Sequence, residues 1–247
     1  MTFTIVGRCK STGRRGIAMA TSSPAVGSRC SFVSHAGAVA FQAVAEPRLG
    51  AFSLRLLEQG YSPRKVIAEV TSSDDWPGKR QIGIVDAEGR SSAFTGDDNM
   101  QWAGHITGEN FVAMGNLLAG PQVVEAIAEV FHENESEILE ARLMRAIEAG
   151  RDAGGQEEGQ TSAAILSYGD QSASRCDLRV DISEEPVAEL RRIFDWYEPL
   201  LPYYEERNRN PNVQRVKDYF KQLGLQREYG KRPPVTREGS TKFPFHP

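Results

Sequence analysis

The sequence has few cysteines and no long apolar run. Its three cysteines, Cys9, Cys30 and Cys176, form no C-x-x-C pair, which argues against both a disulfide framework and a zinc site. No stretch reaches the roughly 18 to 20 apolar residues that span a bilayer, and the first residues lack the basic and apolar segments of a signal peptide. We therefore predict a cytoplasmic protein with reduced thiols, no bound metal and no cofactor.

The sequence also lacks a large excess of positive or negative charge. The 29 Lys and Arg against 33 Asp and Glu give a formal net charge of −4 over 247 residues. This charge is too small to drive the whole chain onto polyanions, so we predict a small-molecule ligand rather than nucleic acid or a membrane. Residues 206–247 differ, with ten basic against four acidic side chains. We interpret 226–247 as a mobile, solvated tail, and a nucleic-acid-binding arm is the alternative.

The common catalytic and nucleotide-binding motifs are missing. There is no Walker loop, no G-x-S-x-G elbow, no H-E-x-x-H pair and no G-x-G-x-x-G after a strand. The glycine-rich stretch Gly150–Gly155 lies between a predicted helix and a predicted strand. A phosphate cradle needs the opposite order, in which a strand leads into a helix. A catalytic site in this chain must therefore be recognised from single residues rather than from a motif.

The hydrophobic pattern predicts strands grouped around pairs of helices. Period-two or short apolar runs predict strands at residues 3–7, 16–20, 37–42, 111–116, 161–168 and 177–181, and a hairpin over 81–96. Period-3.6 stripes predict two helices within 50–70, two more between 122 and 150, and further helices from about 186. Paired helices between sheets predict an α+β or layered α/β fold, in a single domain over residues 1–225.

Thr2 is a candidate nucleophile. Its side chain is small enough for the initiator Met1 to be removed, which would leave threonine as the first residue. An α-amine titrates near pH 8, so it is partly neutral at physiological pH and can accept the proton of the hydroxyl beside it. A chain with a free Thr2 would thus carry a nucleophile and its base in one residue. The alternative is that Thr2 is an ordinary first residue of a strand.

A set of short segments in fixed order carries a resemblance to a known family. They are Thr2–Val6, Ser23–Gly27, Gly37–Ala43, Gly83–Ala87, Phe94–Gly96, Trp102–His105, and Gly115–Asn116 followed by Ala119–Gly120. In order and spacing they resemble the bacterial and archaeal domain-of-unknown-function family numbered 1028, over roughly residues 2 to 195. That family is regarded as similar to the N-terminal-nucleophile (Ntn) hydrolases. The resemblance therefore implies a four-layer αββα sandwich with two antiparallel sheets between helices.

The resemblance and the strand ends suggest further site residues. Ser22 closes the second strand, where Ntn enzymes often orient the nucleophile, and Asn116 ends another strand as an amide donor to an oxyanion. Ser23, His35 and His105 are candidates for binding substrate. The alternatives are structural: loop hydroxyls that cap backbone groups, a half-exposed histidine, a histidine that supports the Trp-Ala-Gly segment, and a Gly-Asn turn.

These observations lead to two hypotheses from different classes. The first is an Ntn-type amidohydrolase that cleaves a small amide or peptide-like bond, with Thr2 as nucleophile and Ser22 and Asn116 as partners. The second is a catalytically inactive module on the same fold that binds a ligand or takes part in assembly. A homodimer is expected in either case, since an aromatic stripe in the C-terminal helices suits an interface as well as a core: Tyr197, Tyr203, Tyr204, Tyr219 and Phe220.

Overall fold

The computed structural model describes residues 1–169 and 173–224. Its strands form two antiparallel sheets. They are β1 (Thr2–Arg8), β2 (Arg15–Thr21), β3 (Ser31–Ser34), β4 (Gly37–Ala43), β5 (Arg80–Asp86), β6 (Ser91–Thr95), β7 (Gly104–Gly108), β8 (Phe111–Asn116), β9 (Ser162–Tyr168) and β10 (Ser174–Val180). The large sheet has the order β10-β9-β2-β1-β8-β7 and the small sheet the order β3-β4-β5-β6. Strand β1, which begins at Thr2, is therefore central in the large sheet.

The helices follow the predicted pairs. They are α1 (Pro47–Glu58), α2 (Pro63–Ser72), α3 (Gln122–Glu133), α4 (Leu139–Asp152), α5 (Pro186–Tyr197), α6 (Leu201–Arg209) and α7 (Val216–Gln222). Proline opens α1, α2 and α5, where its missing N–H costs no helical hydrogen bond. Gly60 has φ 85° just after α1, the left-handed conformation that ends many helices.

Three apolar clusters hold these elements together. One contains residues from the facing surfaces of both sheets, among them Val6, Met19 and Ala40. A second joins the other face of the large sheet, with Phe3 and Ile5, to helices α3, α4 and α5. A third joins the other face of the small sheet to α1 and α2. The α+β prediction is thus confirmed, with two antiparallel sheets and helices packed on them.

The described chain divides into two compact units after Leu201. The first unit, Met1–Leu201, contains both sheets. The second begins at Pro202; within it, the Tyr203 hydroxyl donates to the Gln214 carbonyl over 2.9 Å, and the Tyr203 and Tyr219 rings pack with centroids 5.0 Å apart. A single domain over 1–225 stays a prediction, and the predicted tail at 226–247 lies outside the described residues. In the part of the chain that is described, no helix is both long and apolar enough to cross a bilayer.

Candidate functional site

Four polar residues stand side by side at one end of the large sheet. Thr2 on β1 pairs directly with Thr21 on β2 and with Asn116 on β8, and Thr21 pairs with Ser162 on β9. Directly paired residues of antiparallel strands project to the same face of a sheet. The four side chains, which we call the polar row, therefore form a line across four neighbouring strands. All four residues are at most 5% exposed.

The polar row faces the small sheet. Side chains alternate along a strand, and Val6 belongs to the cluster between the sheets whereas Phe3 and Ile5 belong to the helix side. Thr2 and Thr4 share the face of Val6. The Thr4 hydroxyl indeed donates to Oε1 of Gln42 on β4 over 2.5 Å. The row thus closes one end of the apolar layer between the two sheets.

Two glutamines of the small sheet meet the polar row. Gln42 and Gln81 are directly paired on β4 and β5 and are fully buried. We call them the glutamine pair. Gln42 Nε2 donates to Gln81 Oε1 over 2.8 Å, and Asn116 Nδ2 donates to the same oxygen over 3.0 Å. The two sheets are thereby joined by side-chain amides next to Thr2, and Asn116 is held in one orientation.

Gln81 also extends the contacts to His105. Its Nε2 lies 2.8 Å from the carbonyl oxygen of Gly115 and 3.0 Å from Oγ1 of Thr95. Oγ1 of Thr95 is in turn 2.8 Å from Nδ1 of His105. Partial desolvation lowers the pKa of His105, so the ring favours its neutral form. His105 is connected to Asn116 through Thr95 and Gln81 rather than by direct contact.

The hydroxyl of Thr2 has a defined direction. The Thr21 hydroxyl has one proton and donates it to the carbonyl oxygen of Met1. Thr2 Oγ1 lies 3.1 Å from Thr21 Oγ1, so Thr2 must be the donor in that bond. The proton of Thr2 therefore points toward Thr21, and the lone pairs of its oxygen carry no hydrogen bond from a described residue.

The amino terminus lies in a partly desolvated place. Burial lowers the pKa of the Met1 α-amine, and the nearby Cys30 and Glu158 only partly offset this effect. Burial also raises the pKa of the Cys30 thiol to about 11. Cys30 is therefore a neutral thiol at physiological pH and, at 4% exposed, a buried residue rather than a nucleophile.

The loop between α4 and β9 contains an unpaired buried amide. The Gly155 carbonyl accepts from the Ala119 N–H over 3.1 Å, and the Thr161 N–H donates to the Thr21 carbonyl over 2.7 Å. Between these two contacts lies Gln156, which is 4% exposed. Neither its Oε1 nor its Nε2 has a hydrogen-bond partner among the described residues. An unpaired buried amide is costly, so this side chain is a candidate for binding a ligand.

The remaining predicted site residues are not part of the polar row. Ser22 and Ser23 directly follow β2; Ser22 is half-buried, and the exposed Ser23 contributes its backbone carbonyl to the Ser162 hydroxyl over 2.7 Å. His35 is exposed in the turn before β4. From the start of β4 to Gln42 is roughly 16 Å of extended chain, so His35 lies at the other end of the sheets. Within the described ranges, no cluster of three or more His, Cys, Asp or Glu side chains is placed to hold a metal ion.

Several residues of this site are absent from the sequence-based candidates. Thr21, Gln42 and Gln81 supply most of its hydrogen bonds, and Gln156 supplies the unpaired amide. The available signal for Gln42 was its alternation with Ala38 and Ala40, which places a large amide on an otherwise apolar inner face. Gln81 has the same relation to Gly83 and Val85.

Fold and site together define an α+β protein with a polar row and a glutamine pair between two antiparallel sheets. A family profile described as "Family of unknown function (DUF1028)" matches residues 2–190, and the chain belongs to this family. A solved structure, the crystal structure of protein SPO2555 from Silicibacter pomeroyi, also of DUF1028, is similar at 31% identity and a TM-score of 0.74. The similarity covers 79% of this chain and 88% of that one. Among curated proteins no match was found.

Proposed function

We propose that this protein is an Ntn-type amidohydrolase, in which Thr2 becomes the nucleophile once Met1 is removed. The observation that carries the proposal is the position of Thr2: it begins the central strand, its hydroxyl is oriented by Thr21, and Asn116 flanks it. The three apolar clusters support the finer fold assignment, because their order is helices, small sheet, large sheet, helices. This order agrees with the proposed four-layer αββα sandwich.

Removal of Met1 would change the hydrogen bonds of Thr2. The Thr21 hydroxyl would lose the Met1 carbonyl as acceptor and become free to bind the new Thr2 amine or to keep accepting from Thr2 Oγ1. Burial lowers the pKa of the α-amine of Met1, the residue before Thr2. The amine of a chain that begins at Thr2 would stand beside the same buried strand ends, and burial there would favour its neutral form. A neutral amine is the state that a general base requires.

The reaction then follows from the groups present. The Thr2 hydroxyl proton passes to the Thr2 amine as Oγ1 forms a bond to the carbonyl carbon of the substrate. The intermediate collapses with cleavage of the C–N bond, and the departing amine takes the proton from the Thr2 ammonium. Water hydrolyses the resulting ester with the same amine as base. The products are a carboxylic acid and an amine.

Asn116 is the proposed oxyanion donor. Its Nδ2 carries two N–H groups, of which one is donated to Gln81 Oε1; the other makes no hydrogen bond to a described residue. Because the glutamine pair fixes the amide in advance, little reorganisation is needed when charge develops on the substrate oxygen. Gln156 is the proposed contact for the amide portion of the substrate, since its own amide is buried without a partner among the described residues and its loop is bonded to Thr21 through the Thr161 N–H.

The decisive experiment combines mass and activity. Intact-mass analysis of the protein should give a chain without Met1, and screening of small amides should detect amine release. Thr2→Ala leaves a small residue, so Met1 removal is unaffected, but activity should be lost; Thr2→Ser should retain part of it. The exposed Thr107 on β7 offers the matched control Thr107→Ala, which should be fully active.

Two results would refute the proposal. One is retention of Met1 in active protein, because Thr2 would then have no free amine. The other is unchanged turnover in the Thr2→Ala variant. Ligand binding that persists in Thr2→Ala without any turnover in the native protein would instead support an inactive binding module on the same fold.

A further inference from the structure

Acidic side chains are concentrated at the end of the two sheets where Thr2 lies. Because neighbouring strands are antiparallel, one end of each strand lies here, and the glutamine pair joins the two sheets at this end. Seven connections between strands and helices meet there, at residues 22–30, 44–46, 73–79, 96–103, 117–121, 153–161 and 181–185. They contain ten acidic and two basic side chains, although the whole chain has a net charge of only −4.

The opposite end of the sheets has no such excess. Its connections within the described ranges are residues 9–14, 35–36, 59–62, 87–90, 109–110 and 134–138. They contain four acidic and three basic side chains, so their charges nearly balance. The negative charge of the first unit is therefore unequally distributed, and its excess lies around the candidate site.

Most of the ten carboxylates near Thr2 have no counter-ion. Three of them lie within 4.0 Å of an arginine, in the ion pairs Glu46–Arg48, Asp74–Arg80 and Asp181–Arg179. The other seven have no lysine or arginine of the described chain within 4.0 Å. The two basic residues of these connections are also turned elsewhere: Lys79 Nζ lies 5.1 Å from the centroid of the Trp76 ring, and Arg29 Nη1 donates to the carbonyls of Pro24 and Ala25.

Six of the unpaired carboxylates belong to three connections that are bonded to the polar row or to the residue after it. They are Asp97 and Asp98, Glu157 and Glu158, and Glu184 and Glu185, and all six residues are exposed. The Thr161 N–H donates to the Thr21 carbonyl over 2.7 Å, and the Ser183 N–H donates to the Thr161 carbonyl over 2.9 Å. These two bonds hold residues 153–161 and 181–185 against the polar row.

The third connection is held on the other side of Thr2. The N–H of Leu117, the residue after Asn116, donates to the Met100 carbonyl over 3.2 Å. Residues 96–103 are thereby attached to the end of β8. Exposed carboxylates are ionised at neutral pH, so negative charge flanks the polar row on both sides. Glu158 is close enough for its charge to act on the pKa of the Met1 α-amine.

We infer that the amide cleaved at Thr2 carries a positive charge, as an ammonium or a guanidinium group. This inference rests on the proposed hydrolysis and names its substrate class. Charges of one sign around a site raise the local concentration of oppositely charged ligands and change association rates by about 10- to 10³-fold. Gln156, whose buried amide has no partner among the described residues, lies in the same connection as Glu157 and Glu158. One loop thus offers groups for both the amide and the cation of such a substrate.

The first test compares substrates that differ in charge but hardly in shape. They are the p-nitroanilides of Nα-acetyl-arginine, of its neutral analogue Nα-acetyl-citrulline, and of Nα-acetyl-glutamate. We expect kcat/KM for the arginine compound to be at least about ten-fold above that for the citrulline compound, with the glutamate compound lowest. The preference should shrink as NaCl is raised, because salt shortens the range of the electrostatic attraction.

Variants locate the preference. Glu157→Gln combined with Glu158→Gln should lower the arginine-to-citrulline ratio several-fold and leave kcat/KM for the citrulline compound unchanged. The control combines Glu129→Gln with Glu133→Gln, which removes the same charge from exposed positions in the half of α3 farther from Thr2. The control should keep the native ratio. A native ratio of one, or equal ratios in the two double variants, would overturn the inference.

A binding measurement separates this inference from the hydrolysis itself. Benzamidine, benzamide and benzoate have nearly the same shape and are cationic, neutral and anionic. At matched ionic strength, benzamidine should raise the unfolding midpoint of native protein most, and this advantage should be lost in the Glu157→Gln, Glu158→Gln variant. If no amide is cleaved, this measurement decides: the expected pattern keeps the cation preference while the hydrolysis fails, and equal midpoints overturn both. If amides are cleaved and the arginine compound is not preferred, the hydrolysis stands and this inference is wrong.

Discussion

Thr2 Oγ1 donates its proton to Thr21 Oγ1 across 3.1 Å, from one strand to the residue directly opposite. The direction is imposed by the Met1 carbonyl, which accepts the only proton of Thr21. Once Met1 is removed, Thr21 still lies directly opposite Thr2, and we expect its hydroxyl to hold the proposed nucleophile through Thr2 Oγ1 or through the new amine. This arrangement leads to a first prediction.

Replacement of Thr21 by valine should lower turnover without unfolding the protein. Valine has nearly the same shape, so it removes the hydroxyl that orients Thr2 and little else. We expect kcat for amide hydrolysis to fall about ten-fold or more, and the unfolding free energy to fall by about 1 kcal/mol, the usual value for one hydrogen bond. The rate against pH should change as well, because Thr21 would also contact the amine. An unchanged kcat and pH profile would show that Thr21 has a structural role only.

Replacement of Asn116 by alanine should affect the transition state more than the substrate complex. Loss of one oxyanion donor typically costs about 10²- to 10³-fold in kcat. We expect that loss with a small change in KM, measured by steady-state kinetics on the amide found by screening. Asn212→Ala, at an exposed position of the second unit, is the control with the same substitution. A rise in KM alone would argue against the oxyanion role.

Replacement of Gln81 by leucine should destabilise the first unit strongly. Leucine would leave the Gly115 carbonyl and the Asn116 amide without their partner in a buried place. Each unsatisfied group costs about 1 to 3 kcal/mol, so we expect a loss of about 3 kcal/mol in urea unfolding. Gln59→Leu, at the exposed end of α1, should change the unfolding free energy by less than about 0.5 kcal/mol. Similar values for both variants would mean that the glutamine pair contributes little.

The Asp74–Arg80 ion pair should make stability depend on pH in the acid range. Arg80 Nε lies 2.6 Å from Asp74 Oδ2, and its hydrogen bonds lower the pKa of Asp74. A carboxylate whose pKa is lower in the folded state stabilises it above the unfolded pKa of about 4. That contribution is lost as the pH falls from there through the lower folded value.

The corresponding measurement is the unfolding free energy of Asp74→Asn against pH. At pH 7 the variant should be less stable than the native protein by about 2 kcal/mol, and the difference should shrink steadily below pH 4. Asp75→Asn, one residue further along and exposed, is the control and should show no such trend. A difference that is constant from pH 7 to pH 2.5 would exclude this explanation.

Local features of the fold were predictable from the sequence, because their causes are local. The hairpin at Asp86–Gly89 forms as predicted, since the Asp86 carboxylate accepts the Glu88 and Arg90 N–H groups over 3.1 and 2.8 Å. The Asp86 side chain thus closes this turn by hydrogen bonds to backbone N–H groups. The four-residue edge strand β3 was missed, since so short a segment has too little alternation to distinguish it from a loop.

The site was less predictable, because its geometry depends on register between distant strands. Thr2 and Asn116 were candidates for separate reasons, and only the pairing of β1 with β8 places them side by side. Gln42 and Gln81 were missed because the sequence around a polar residue near the end of an apolar strand does not show which residue of the other sheet it contacts. His35 was a candidate because of the chemistry of its side chain. That chemistry does not indicate at which end of β4 the residue lies.

The groups that join the two sheets around Thr2 are neutral amides and hydroxyls: Thr4, Gln42, Gln81, Thr95 and Asn116. None of them gains or loses a proton across the physiological range. A change of pH therefore leaves the spacing of the sheets near Thr2 unchanged. The titratable residue that these contacts reach is His105, at their outer end. A profile of turnover against pH should accordingly record the ionisation of the threonine amine itself, with little contribution from a change of shape.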